Sequence, residues 1–129
     1  MQETATYISI ENLDAYKLAR EYSRIAWQVY ELMDWQTKKI MGDQTISSVD
    51  SVGANIAEGY GRFHYLDKIK FYYNARGSLI ESKHWIDLLC ERKIINDVQH
   101  NTLTELYKRI STCLNGLIKS QYMKKNNQP

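Results

Sequence analysis

Apolar side chains recur along this chain at alternating intervals of three and four residues, the spacing that lays one stripe along a helix. The first stripe runs from Asn12 to about Met33 through Ala15, Leu18, Ala19, Tyr22, Ile25, Ala26, Val29 and Leu32, with Asn12 in position to cap it. A second runs from about Gln44 to Tyr60 through Ile46, Val49, Val52, Ile56 and Ala57, and Gly59 and Gly61 offer the positive-φ conformations that end a helix. The third and longest covers about 65–91, with Leu66, Ile69, Tyr72, Tyr73, Leu79, Ile80, Ile86 and Leu89 inward. After the short link RKII, Asn96 and Gln99 have the spacing of a reciprocal capping pair. Val98, Leu103, Leu106, Tyr107, Ile110, Leu114 and Leu117 then mark a fourth helix over about 97–119. Residues 120–129 read as a frayed tail, and DWQTKKIMGD (34–43) is ambiguous, a loop with room for a helical turn of its own.

Four amphipathic helices on short connections predict an all-α fold, an up-down-up-down antiparallel four-helix bundle that uses residues 1–129 as a single domain. The length of 129 residues suits one substantial core and is short for two domains, and the only proline is Pro129, so nothing interrupts long helices. The net charge of +2 hides an asymmetry: residues 1–34 carry three basic and six acidic side chains, residues 96–129 five basic and two acidic. That mild cationic end permits nucleic-acid binding without announcing it. The chain shows neither a basic segment followed by an apolar run at its start nor a stretch approaching the roughly 18 apolar residues of a membrane span, so a soluble, cytoplasmic protein with no membrane partner is expected. Cys90 and Cys113 fit neither a disulfide framework nor a CxxC metal pair and are expected as small packing residues.

One polar pattern complicates the picture. Ser48, Ser51, Asn55, Glu58 and Arg62 are spaced to form a continuous stripe on the second helix, and Asn74, Ser78 and Glu81 repeat it on the third, where Gly77 would let a neighbouring backbone come close. Two readings stand side by side. The stripes tie the two helices together and fix their register, or Glu58, Glu81 and Arg62 line a ligand or partner pocket. Glu81 and His84 also have the Glu-x-x-His spacing of di-iron bundles, but Gly61 stands where the partner histidine of Glu58 would fall, so no metal site and no cofactor are predicted. His64 and His100, near predicted helix ends, lack partners at zinc spacing, and no nucleophile elbow, phosphate loop or HExxH motif occurs.

The segment SVDSVGANIAEGYGRF (48–63), followed by ARGSLIES (75–82), resembles the bacterial four-helix-bundle family encoded in 23S ribosomal RNA intervening sequences. Ser51, Asn55, Ile56, Ala57, Glu58, Gly59, Gly61 and Arg62 match the first hallmark, and Gly77, Ser78 and Glu81 the second; many members carry a proline in the serine segment, where this chain reads Ser51, Val52, Gly53. The resemblance implies a bundle assembling as a ring-shaped homopentamer with no established enzymatic activity. The family is similar to the accessory variability determinant of diversity-generating retroelements, a basic pentamer that works with a reverse transcriptase and binds nucleic acid. The label "S23 ribosomal protein" attached to such sequences reflects gene location and implies no ribosomal role.

The residues offer their own support for assembly. Tyr16, Trp27 and Tyr30 on the first helix, and Phe71, Ala75, Trp85 and Leu89 on the third, lie off the main apolar seams, as interface aromatics do. Lys108 and Lys119 share a face of the fourth helix, extended by Lys124 and Lys125, and Lys68, Lys70 and Arg76 make a second basic group. Repeated around an oligomer, these become a multivalent surface for phosphates. The expected function is therefore a non-enzymatic oligomeric scaffold with RNA, DNA or a nucleoprotein as partner. The alternatives are a small-ligand or metal-dependent bundle enzyme using Glu58, Glu81 and His84, and an adaptor with protein partners only.

Overall fold

The structure, a computed structural model, describes residues 8–127. Within them four long helices carry the fold: α1 (Asp14–Glu31), α2 (Asp43–Tyr60), α3 (Tyr65–Glu91) and α4 (Asp97–Asn126). Contacts across the helices fix their directions. Ser23 and Tyr30 of α1 donate to Asp50 and Asp43 of α2 at 2.6 and 2.7 Å, so numbers rise along one helix as they fall along the other. The same opposition holds between α2 and α3, where Ser78 meets Ser51 and Tyr72 packs on Gly59, and between α3 and α4, where Arg76 reaches Asn115 and Asp87 reaches His100. The result is the expected up-down-up-down bundle, with α1 and α3 each packed on α2 and α4.

The inward stripe of α1 is mostly small (Ala15, Ala19, Ala26, with Val29), which lets the neighbouring helices approach closely, while α3 and α4 supply Leu79, Ile86, Leu89, Leu103, Ile110 and Leu114. Tyr22 is wholly buried and reaches diagonally from α1 to α3, its hydroxyl 2.7 Å from Ser82 Oγ. Ser82 Oγ gives its own proton to the Leu79 carbonyl at 2.6 Å, so Tyr22 is the donor. Desolvation pushes the Tyr22 phenol well above its ordinary range, keeping it neutral.

Several positions differ from the sequence pattern. Asn12 does not cap α1: it ends a 3-10 turn (Ile10–Asn12) and donates to Ser9 Oγ, leaving Leu13 at the N-cap position. On α3, Leu66, Tyr73 and Ile80 are exposed, whereas Ala75 and Ser82 are buried, because the closest helix contacts select small side chains that a hydropathy stripe passes over. Leu32 and Val98, at helix ends, are exposed as well. No described glycine has positive φ. Gly59 is needed for space, since a Cβ there would lie 2.8 Å from a ring carbon of Tyr72, and Gly61 caps α2 at an ordinary φ of −78°. The left-handed residue is instead Lys93, at φ 61°, just beyond α3.

Residues 120–126 belong to α4 and are no frayed tail, with Ile118 and Gln121 buried on its inward side; residues 128 and 129 lie outside the described residues. The ambiguous segment is also helical. Asp34 accepts from the Thr37 amide at 2.8 Å and starts an α-turn (Trp35–Thr37) that widens into a π-helix (Lys38–Gly42) running directly into α2. The wide turn carries Met41 into the core and sets Gly42 where a Cβ would come within 3.0 Å of Tyr30 and Met33.

The two ends of the bundle are built differently. At one, the links 32–42 and 92–96 are closed by hydrogen bonds: Asn96 and Gln99 form the predicted reciprocal capping box, and the Ile94 and Ile95 amides both reach the Leu89 carbonyl. At the other end lie residues 8–13, the link 61–64 and the last turns of α4.

Candidate nucleic-acid interface

At that second end a cleft of about 1050 Å³ opens between the α2–α3 link, the first turn of α3 and the C-terminal turns of α4. Arg62, Lys68, Lys124 and Lys125 line it, and Tyr60, Phe63, Tyr65 and Tyr72 add ring surface. Among the described residues lining it there is no carboxylate.

Lys68 is held most firmly. One turn into α3 it points back at α2, where its Nζ donates to the carbonyls of Tyr60 (2.8 Å) and Gly59 (3.3 Å) at the helix C-terminus, the latter also accepting from the Arg62 amide at 3.2 Å. Burial, with Lys124 adding like-charge repulsion, holds its pKa below the ordinary lysine range. An ammonium carries three N–H donors, so one remains for the cleft. Arg62 is less free. It donates to Glu58 at 2.6 Å, and its guanidinium lies 4.7 Å from the centre of the Phe71 ring.

The walls complete the chemistry. Gln121, only 7 % exposed, lines the cleft with a carbonyl oxygen that has no hydrogen-bond partner among the described residues. α3 begins here with no side-chain cap at His64, which places the positive end of its dipole beside the lysines, partly offset by Asp67 in the first turn. Phe63 is 87 % exposed, with the His64 ring edge-on to it at 5.1 Å. Tyr72, at the base, has its phenol pushed up to about 12 by burial and stays neutral.

The polar stripes meet, but as a tie between helices. Asn55 Nδ2 donates to the Ser51 carbonyl and hydroxyl at 2.9 and 3.0 Å, and Ser78 donates to Ser51 Oγ at 2.9 Å. That Ser51–Ser78 contact sets the level of α2 against α3. Glu58 lies seven residues beyond it in one direction and Glu81 three in the other, so the two carboxylates stand about 15 Å apart along the axis. Glu58 pairs with Arg62, Glu81 accepts from Trp85 Nε1 at 3.2 Å, and His84 packs edge-on against Trp85. The pocket of Glu58, Glu81 and Arg62, and the enzyme reading that adds His84, are thus not assembled. Among the described residues no three His, Cys, Asp or Glu side chains cluster as a metal set. Gly77 has nothing within 4 Å of where its Cβ would be, so no backbone approaches it inside the bundle.

The remaining predicted cations are dispersed. Arg76 donates to Asn115 at 2.9 Å and lies 4.7 Å from the Tyr73 ring centre on the α3–α4 flank, Lys70 lies over Phe71, and Lys108 and Lys119 are exposed on α4; none of the four lines the cleft. Of the expected interface aromatics, Trp27 is exposed, whereas Tyr16, Tyr30, Phe71 and Trp85 are half-buried. Phe63 and Gln121 belong to no stripe or motif of the sequence. An aromatic in a four-residue link between two helices was the available signal for Phe63, and none existed for Gln121, whose place depends on α4 running past Lys119.

Far from the cleft, Asp87 accepts from Lys83 (2.6 Å) and His100 (2.8 Å), clasping α3 to α4. Cys90 and Cys113 are half-buried against the core, and desolvation beside Asp97 pushes the Cys90 thiol up, away from thiolate chemistry.

Three comparisons bear on this arrangement. Curated proteins offer no match to the chain. Among solved structures, a protein of unknown function from the S23 ribosomal protein family of Bacteroides thetaiotaomicron VPI-5482 is similar in fold, with a TM-score of 0.76 and 24 % identity over 81 % of this chain and 98 % of that one. Residues 11–116 match the profile of the 23S rRNA-intervening sequence protein family, a span that takes in α1 to α3 and most of α4. The chain therefore belongs to the 23S rRNA-intervening sequence protein family.

Proposed function

We propose that the protein is a non-enzymatic, oligomeric helical scaffold that binds nucleic acid, free or within a nucleoprotein, through the cleft at the open end of the bundle. One observation carries the reading. Lys68, Lys124 and Lys125 converge with aromatic surface in a concavity whose described lining contains no carboxylate to neutralise them. Cations in that setting attract phosphates and release counterions when they bind them. Assembly multiplies the effect, and the exposed Trp27, Leu32, Trp35 and Ile40 supply apolar surface for it; the family resemblance suggests a pentamer. A cytoplasmic setting suits such a partner, and among the described residues no helix is long and apolar enough to cross a membrane.

The test is the absolute mass by light scattering, alone and with a pool of short RNA and DNA, at 50 and 200 mM salt. The expected result is an oligomer whose mass rises with nucleic acid at low salt, and a K124E/K125E double variant that loses at least tenfold in affinity with its melting temperature unchanged, because both lysines are exposed. A mass indifferent to nucleic acid at both salts overturns the reading.

A further inference from the structure

The cleft also bears on which form of nucleic acid it receives. We infer that the ligand is a single strand, whose phosphates lie on Lys68, Lys124 and Lys125 while one unpaired base stacks on Phe63. This inference rests on the reading of the cleft as a nucleic-acid site.

Shape is the first argument. Proteins read a duplex by putting a helix or ribbon into a groove, whereas this site is a concavity, bounded by a helix link and two helix ends, that receives a chain. A paired base cannot leave its stack to enter it without the cost of unpairing, while an unpaired base is already free to turn inward.

Phe63 is the second. A phenyl ring 87 % exposed does nothing for the core, and it stands between Arg62 and His64 in a link of four residues anchored by α2 and α3. The His64 ring stands perpendicular to it, with the ring planes 82° apart, and at 87 % exposure the phenyl keeps a ring face open. Open aromatic faces beside a cationic groove are how single strands are held irrespective of sequence, since every base has a π-face.

The third is the state of the cations. Lys68 is fixed in place by two carbonyls and keeps one donor free, with Lys124 close enough to repel it. A phosphate between them would answer both charges. A mobile, fully hydrated lysine would make a weaker case.

The experiment uses one fluorescent 12-nucleotide DNA of mixed sequence in three forms: single-stranded, annealed to its complement, and as an abasic strand of equal charge. Each is titrated at 50 mM salt against the wild-type protein, F63A, F63Y and K124E/K125E. The expected result is that the single strand binds at least tenfold more tightly than the duplex or the abasic strand. F63A should lose about tenfold on the single strand alone, F63Y should retain binding, and K124E/K125E should weaken all three forms. Equal or tighter binding of the duplex or abasic strand, or an F63A variant that binds the single strand as the wild type does, overturns the single-strand inference and leaves the nucleic-acid reading standing. If none of the three forms binds, that reading falls and takes the inference with it.

Discussion

The two ends of this bundle are made from the same ingredients and are put to different uses. At the closed end several polar and charged groups are paired within the protein: Asp34 holds the Thr37 amide, Asn96 and Gln99 hold one another's backbone, and Asp87 holds Lys83 and His100. At the open end Lys124 and Lys125 border a cavity, the Gln121 carbonyl goes unanswered, α3 starts without a side-chain cap, and Phe63 stands in solvent. Buried polar groups without partners are costly, and among the described residues Thr104 Oγ1 on α4 is a second one, so what sets the open end apart is its cluster of lysines in a cleft without a described carboxylate.

The border between the two regimes is Gly59, where α2 passes over Tyr72. A methyl group there would meet a buried ring at 2.8 Å and the Phe71 Cβ at 3.1 Å, so Gly59→Ala should cost about 1–3 kcal/mol in urea unfolding, the largest effect expected of any single methyl near the cleft. An unchanged midpoint would mean that the cleft rests on a yielding floor, and the division between packed bundle and open end would blur.

Smaller, and confined to the closed end, is an acid effect. Burial raises the pKa of Asp87, but hydrogen bonds from Lys83 and His100 outweigh it and hold the carboxyl below its usual value. A group depressed in the folded state stabilises the fold above its unfolded pKa, near 4, and that stability is lost as pH falls through the folded value. Stability should therefore decline below about pH 4, and Asp87→Asn should flatten that decline by about 0.5 kcal/mol, little because the carboxylate is partly exposed. An acid limb unchanged in the variant would detach the clasp from the stability of this end.

The smallest effect sharpens the comparison most. Phe63→Ala should leave the melting temperature within the equivalent of about 0.5 kcal/mol, as an exposed side chain outside the core does. A larger loss would assign Phe63 to the fold and remove it from the ligand.

Much of the bundle was legible because its causes are local. The stripes of α1, α2 and α4 and the Asn96–Gln99 box follow from spacing alone. The face of α3 departs from its apolar stripe because Ala75 and Ser82, the residues at its closest contacts, are small or polar, and size at a contact is a tertiary fact. Gly59 illustrates the same limit: its position looked like chain termination, and the reason for it is a tyrosine thirteen residues further on. Among the basic residues, helix spacing groups lysines by helix face. The cleft gathers them instead by bundle end, joining Lys68 to Lys124 across 56 positions and leaving Lys70, Arg76, Lys108 and Lys119 outside.

The π-helix at Lys38–Gly42 has a consequence for how such chains can vary in length. A single wide turn is what a helix becomes when it accommodates one additional residue without surrendering either flank. Removing one residue there would let the backbone rewind as regular α-helix, with α2 undisturbed from Asp43 onward, while the Trp35 turn swings by about 100° around the axis. The connection between α1 and α2 is thus a point where insertions and deletions of single residues can accumulate, and where each such event re-aims one exposed tryptophan and leaves the four helices as they are.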